Sequence, residues 1–233
     1  MEVLGVIGAG KLGICLAANL SSSGQEIFIC EKSNQRIEEI RSKQIDTIEP
    51  ELNNLIQESQ FNFVDLRSIL RSCNTIFITV RTEGNSNGTY DCSQLLNLFN
   101  EIVEINEIYP DTLLIVNCNV NPGTVEICQD KVAYLGIIVA YSPEWVAQGS
   151  IIINQRKPDL IILGHLDEIV RNRILEAYML YIENQPPIFN LSTKSAELAK
   201  ILLNSYLTLK ITFANLAGDL LLSSGEDADK VLE

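Results

Sequence analysis

The chain has 233 residues and a formal net charge of -13, and hydrophobic residues make up 46% of it. This length suffices for one large domain or two small ones with a buried core, and the composition is ordinary for a globular protein. The negative charge argues against nucleic acid and anionic membrane surfaces as partners, because phosphate groups repel it.

Other features of the sequence favour a cytoplasmic protein. The first apolar run, residues 3–7, follows an acidic residue and is too short for a signal peptide. No apolar run approaches the roughly 20 residues of a membrane-spanning helix. The six cysteines form no CxxC pair, and most lie in apolar segments, where reduced thiols behave as small hydrophobic groups. Because His165 is the only histidine, we expect no histidine-based metal site or catalytic triad.

Apolar strands and helices alternate along most of the chain. The pattern predicts strands over residues 3–7, 26–30, 75–80, 112–117, 136–142 and 158–164. It predicts helices over residues 11–22, 34–42, 65–72, 93–105, 121–130 and 168–181. Near-continuous apolar strands are typical of a parallel sheet covered on both faces. We therefore predict an α/β fold with a Rossmann-like doubly wound parallel sheet, which binds ligands beyond the carboxyl ends of its strands.

The last segment differs from the rest. Residues 192–224 contain no proline and a single glycine, which predicts one helix from a cap at Ser192 to a stop at Gly225. About 33 helical residues would span about 50 Å. Apolar residues cover much of its circumference, so it must pack against a second domain or a partner subunit. We predict a dinucleotide-binding domain over residues 1–190 and a long central helix over residues 191–233.

The stretch GAGKLG, which begins at Gly8, fits the GxGxxG pattern between a predicted strand and a predicted helix. In such a turn Gly8 permits the sharp bend, Gly10 lets a pyrophosphate approach the backbone, and Gly13 allows close packing of helix on strand. Free amides at the helix start, with Lys11 and Leu12 among the binding residues, then face the phosphate.

An acidic residue closes the second strand. Glu31, 21 positions beyond Gly10, can accept hydrogen bonds from the adenosine ribose, which favours NAD over NADP. Arg36 weakens that preference because it could meet a 2′-phosphate. The structural alternative is a strand, loop and helix whose glycines fit by coincidence. The full context favours dinucleotide binding, with NAD as the cofactor.

Several further stretches resemble the UDP-glucose/GDP-mannose dehydrogenases. IEPEL resembles that family's EPGL, TVRTEGNSNGTYDCS resembles its V-x-T-P…DG…D-L loop, and YSPEWVAQGS resembles NPEFLxEGS. KPDLIILG resembles PDRIVIG, and SAELAKILLNSYLTLKITFANLAGD resembles the family's AE-x-x-K-x-x-x-N helix. The resemblance implies the NAD-binding portion of an enzyme that oxidises the C6 alcohol of a nucleotide sugar to a carboxylate with two NAD. It also implies a homodimer formed through the long helix.

The resemblance implies roles for individual residues. Glu144 would handle water and protons in thioester hydrolysis, and Lys200 would stabilise negative charge on the substrate oxygen. Asn204, four positions later on the same helix face, would be its partner on the sugar side, and Thr82 would line the nicotinamide side of the cofactor. Each has a structural reading too: Lys200 as an exposed charge, Glu144 as a helix-start carboxylate, Thr82 as a loop hydroxyl. Asn204 lies among leucines, where a buried amide needs partners.

The resemblance breaks at several positions. The family's nucleophile is a cysteine in a GGxCFPKD-type motif, and no such motif occurs here. Cys118 stands where the family has the serine of K-S-T-V-P, so we expect a structural thiol. Asn119 replaces the threonine of that motif, and Gln148 replaces the second glutamate of PEFLxE. We expect both at the cofactor.

The missing motif leaves two explanations open. The chain is either part of a longer enzyme or a non-catalytic dinucleotide-binding or dimerisation module. In both cases we expect it to bind NAD without completing the catalytic cycle. A relationship to the β-hydroxyacid dehydrogenases is a third option, since they share the glycine turn, but it leaves PEW and EPEL unexplained.

Overall fold

A computed structural model describes residues 2–232. The strands, in chain order, are β1 Leu4–Ile7, β2 Glu26–Cys30, β3 Gln60–Phe63, β4 Thr75–Ile78, β5 Glu83–Gly84, β6 Tyr90–Asp91, β7 Leu113–Val116, β8 Ile138–Tyr141, β9 Ile161–Gly164 and β10 Ile188–Leu191. The helices are α1 Lys11–Ser21, α2 Asn34–Arg41, α3 Leu52–Glu58, α4 Leu66–Ser72, α5 Ser93–Ile105, α6 Thr124–Val132, α7 Ile151–Arg156, α8 Glu168–Tyr178, α9 Thr193–Ser223 and α10 Ala228–Leu232.

Eight strands form one twisted sheet in the order β3-β2-β1-β4-β7-β8-β9-β10, and β5 and β6 form a separate small hairpin. Neighbours from β3 to β8 pair in parallel, as predicted. The antiparallel junction comes at β8 and β9, where Tyr141 lies opposite Gly164, and β10 then runs parallel to β9. The fold class is therefore confirmed as a mostly parallel, Rossmann-like sheet.

The connection between β8 and β9 precedes the antiparallel junction. It contains the six-residue α7, which packs against α1. The chain then re-enters the sheet in the opposite direction, beside β8.

The two outermost strands, β3 and β10, were not predicted. Both lie at an edge of the sheet, and their residues are half-buried or exposed. Edge strands with this exposure lack the continuous apolar run that identifies the central strands. By contrast, all four residues of β1, β4 and β7 are buried, and α1 is buried from Gly13 to Ser21.

The chain divides into two compact units at the junction of Glu197 and Leu198, within α9. The predicted domain boundary at residue 190 stays a prediction. In the second unit, α9 exposes many large apolar side chains, among them Leu202, Leu209, Ile211, Phe213, Leu216 and Leu220. Despite this, none of the helices within residues 2–232 combines the length and apolar character required to cross a bilayer.

Candidate functional site

The sheet order reverses direction beside β1. From β1 the chain proceeds to β2 and β3 on one side, and β4 then pairs with β1 on the other side. Such a reversal opens a crevice beyond the carboxyl ends of the two central strands, where α/β sheets bind their ligands. The glycine turn leaves β1 at this point and leads directly into α1.

The first and third glycines of the turn are fixed by close packing. Gly8 has a φ of 95°, in the left-handed region that favours glycine, and its N–H donates to the carbonyl of Cys30 at 2.9 Å. A Cβ at Gly13 would overlap the carbonyl oxygen of Gly8 and the hydroxyl of Thr79. That hydroxyl donates to the Gly8 carbonyl at 2.7 Å. Thr79, at the end of β4, therefore belongs to the site although the sequence pattern did not identify it.

The second glycine is in open space. A Cβ at Gly10 would meet no heavy atom within 4 Å, and Gly10 caps α1 without a side-chain hydrogen bond to the helix. The first-turn N–H groups of a helix lack partners within the helix and carry positive partial charge. The room beside Gly10, next to these groups, would accommodate a pyrophosphate. Cofactor contacts of Gly10, Lys11 and Leu12 stay a prediction.

Glu31 and Arg36 both reach the glycine turn. The Glu31 carboxylate accepts the N–H of Ala9 at 2.7 Å and the N–H of Ser33 at 2.9 Å. Arg36 donates from Nε to the Ala9 carbonyl at 2.9 Å and pairs with Glu39 at 3.1 Å. A carboxylate has about four acceptor positions, so Glu31 keeps capacity for ribose hydroxyls. Two of the three guanidinium nitrogens of Arg36 already donate to these acceptors, which favours NAD over a 2′-phosphorylated dinucleotide.

The loop between β8 and α7 reaches the start of α1. Lys11 Nζ lies 3.4 Å from Gln148 Oε1, so two of the predicted cofactor residues meet. This loop is held by Glu49, which is 4% exposed and accepts the N–H groups of Gly149 and Ile151 at 2.5 and 2.8 Å. Glu49 lies in the IEPEL stretch, but the sequence alone gave it no role.

Glu144 lies in a different pocket. Trp145, Tyr178 and Tyr181 line that pocket with it, while the glycine-turn residues are not among its lining. Burial and then the charge of Glu144 raise the pKa of both tyrosines, and the Tyr178 hydroxyl donates to Ser142 Oγ at 2.8 Å. The predicted catalytic role of Glu144 stays a prediction.

The remaining predicted residues of the first unit lie at the carboxyl edge of the sheet. Thr82 follows β4 and Asn119 follows β7, and both are half-buried. Asn121 ties these two loops together, since its side chain accepts the N–H of Tyr90 at 2.8 Å and donates to the Tyr90 carbonyl at 2.7 Å. Asn119 and Thr82 are thereby placed on neighbouring loops, and their contact with a cofactor stays a prediction.

Glu197, in the second turn of α9, fixes the start of α6. Its carboxylate is fully buried and accepts the N–H groups of Gly123 and Val125 at 2.5 and 2.8 Å. Burial raises the pKa of Glu197, and the hydrogen bonds from Val125 and Gly123 oppose that rise. This residue was also not identified from the sequence.

The two predicted substrate residues belong to the second unit. Lys200 is buried and Asn204 is half-buried. Because they are four residues apart in α9, they share one face of the helix, as predicted. Their roles at a substrate stay predictions.

All six cysteines are buried, free thiols. Burial raises the pKa of the Cys118 thiol above its usual range and that of Cys128 to about 12. Reactive thiols need the opposite, a lowered pKa in an electropositive setting. The expectation that Cys118 is structural therefore agrees with its surroundings.

The sequence is similar to those of several known proteins. The profile of the UDP-glucose/GDP-mannose dehydrogenase family, NAD binding domain, matches residues 2–182. The UDP-glucose 6-dehydrogenase of Pseudomonas aeruginosa is 25% identical over 240 residues, covering 97% of this chain and 52% of that protein. The GDP-mannose 6-dehydrogenase of the same organism is 26% identical over 244 residues, covering 99% and 55%. The chain thus spans about half the length of these curated relatives.

Solved structures show the same relationship. The chain superimposes on the GDP-mannose dehydrogenase of Pseudomonas aeruginosa, determined as a ternary complex, with a TM-score of 0.89 and 25% identity, covering 100% of this chain and 56% of that one. A UDP-glucose dehydrogenase from Pyrobaculum islandicum gives 0.87 at 24% identity, covering 99% and 55%, and supports the fold alone. With the family profile matching most of its length, the chain belongs to the UDP-glucose/GDP-mannose dehydrogenase family and carries that family's NAD-binding domain.

Proposed function

We propose that this protein acts in the NAD-dependent oxidation of the C6 alcohol of a nucleotide sugar, and that the chain supplies the NAD-binding part of that activity. The open space at Gly10, bounded by the tightly packed Gly8 and Gly13, is the observation that carries the proposal. Relatives that are UDP-glucose and GDP-mannose 6-dehydrogenases support the substrate class.

Different residues of the first unit would bind different parts of NAD. NAD, when bound, accepts hydride from the alcohol carbon. The amides at the start of α1, at Lys11 and Leu12, would hold the pyrophosphate, and Glu31 would orient the adenosine ribose. Asn119 and Gln148, on the loops after β7 and β8, would position the remainder of the dinucleotide.

The chemistry of the sugar is assigned to other residues. Thr82 would line the nicotinamide side of the site. Lys200 would stabilise the developing oxyanion, with Asn204 as its partner, and Glu144 would move protons during hydrolysis. These assignments are supported by the match of each residue to a family motif.

Turnover tests the proposal. With NAD and either UDP-glucose or GDP-mannose, we expect this chain alone to form no uronic acid, because the second oxidation would pass through a cysteine of a GGxCFPKD-type motif, which the sequence lacks. Formation of a uronic acid by the purified chain would contradict that division of labour. Reactions without nucleotide sugar measure the background.

Replacing Glu31 should change cofactor preference. In Glu31→Ala the ribose loses its carboxylate acceptor and the 2′-phosphate loses a repelling charge, so we expect the ratio of NAD to NADP affinity to fall about tenfold or more, about 1.4 kcal/mol. Calorimetric titration with each dinucleotide measures the ratio. Glu26→Ala, an exposed change in β2, the strand that Glu31 follows, is the control, and an unchanged ratio in Glu31→Ala would argue against the assignment.

A homodimer formed through α9 is the proposed assembly. The exposed apolar side chains of α9, such as Leu209 and Phe213, need a surface that covers them. Light scattering should then give twice the chain mass of 25.9 kDa. The variant Phe213→Glu should give the mass of one chain. A monomer at all concentrations would contradict this assembly.

A further inference from the structure

Two buried glutamates hold two neighbouring loops in the same way. Glu49 binds the N–H groups of Gly149 and Ile151 from a segment 100 residues away. Glu197 binds the N–H groups of Gly123 and Val125. In both cases one carboxylate bridges two amides that are two residues apart, at the start of a helix.

The two glycines that these carboxylates hold both have a positive φ. Gly123 has a φ of 88° and Gly149 a φ of 85°, the left-handed region in which glycine is conformationally free. A loop built around such a residue gains little order from its own local preferences. A buried, charge-assisted bridge to a distant segment supplies that order instead.

The two loops that these carboxylates hold follow the neighbouring strands β7 and β8. Each loop carries one side chain that we propose as a cofactor contact. Asn119 lies between β7 and Gly123, and Gln148 directly precedes Gly149. Gln148 also lies next to Lys11 at the start of α1. Each carboxylate thus accepts a backbone N–H that lies within four residues of one of these side chains along the chain.

We propose that Glu49 and Glu197 are positioning residues for NAD binding: Glu49 sets the position of Gln148, and Glu197 sets the position of Asn119. This inference rests on the proposed function, because it takes both amide side chains as cofactor contacts. The two glutamates act through the loops and do not touch the cofactor.

The variants Glu49→Gln and Glu197→Gln keep the size of the side chain. An amide has one acceptor oxygen, and its NH₂ group would face a backbone N–H, so one buried donor loses its partner. We expect NAD affinity to fall about tenfold in each variant. The control is Glu2→Gln, which should leave NAD affinity unchanged. The Glu2 carboxylate accepts from Thr75 and Arg173 at the opposite end of β4.

Double variants separate positioning from general stability. If Glu49 acts through Gln148, then Glu49→Gln should weaken binding further by less than twofold in a Gln148→Ala background. The same should hold for Glu197→Gln in an Asn119→Ala background. The crossed pairs should be additive. Additive effects in the matched pairs, or lower melting temperatures with unchanged NAD affinity, would overturn the inference.

Hydrogen exchange without cofactor keeps this test distinct from the proposed function. Glu49→Gln should speed exchange of the Gly149 and Ile151 amides and leave those of Gly123 and Val125 unchanged, and Glu197→Gln should do the reverse. If the wild-type chain failed to bind NAD, the proposed function would fall and the positioning role with it. Unchanged exchange in both variants, with NAD binding intact, would remove the positioning role alone.

Discussion

Gly10→Asp should weaken NAD binding strongly while leaving the fold intact. The new carboxylate occupies the open space where the pyrophosphate is expected, and its charge repels phosphate. We expect affinity to fall about 100-fold or more, about 2.7 kcal/mol. Calorimetric titration measures the loss, with Gly10→Ser as the matched uncharged variant, which should lose affinity to a smaller extent.

The stability of the same variant provides its control. Gly10 has a φ of -65° at the N-cap of α1, a conformation open to any residue, and an added Cβ meets no heavy atom within 4 Å. Aspartate is a better N-cap than glycine by a few tenths of a kcal/mol. The melting temperature should therefore stay level or rise. Full NAD affinity in Gly10→Asp would show that the pyrophosphate does not lie beside this residue.

Gly13→Ala should strongly lower the free energy of unfolding, in contrast to Gly10→Asp. The added Cβ overlaps the Gly8 carbonyl and the Thr79 hydroxyl, so α1 must move away from β1 and β4 or Thr79 must give up its hydrogen bond. Overpacking of this kind costs about 3 kcal/mol. Urea unfolding measures the free energy of unfolding directly.

The same substitution elsewhere separates this clash from a general effect of alanine. Gly218 lies within α9, where an added Cβ meets nothing within 4 Å, and Gly218→Ala should be neutral or stabilising by up to about 1 kcal/mol. A Gly13→Ala protein as stable as wild type would mean that the turn packs less tightly than described.

The local parts of the fold were predictable from the sequence. The α1 and α5 helices begin where their patterns predict, at Lys11 and Ser93, because apolar periodicity and flanking glycine or polar residues define such boundaries. The glycine turn was equally predictable, since strand, turn, helix and Glu31 all lie within one short segment of sequence.

The long-range parts were not predictable. Thr79 reaches Gly8 across 71 positions of sequence, and Glu49 reaches Gly149 across 100. No local pattern indicates which carboxylate will be buried against which loop. The pocket of Glu144 depends in the same way on tyrosines from α8 and the turn that follows it.

One measurement tests the central claim most directly: calorimetric titration of the purified chain with NAD, in parallel with Gly10→Asp. We predict saturable binding at one site per chain in the wild type, weaker binding of NADP, and binding at least about 100-fold weaker in the variant. Absence of binding at millimolar NAD in a folded wild-type chain would contradict the account.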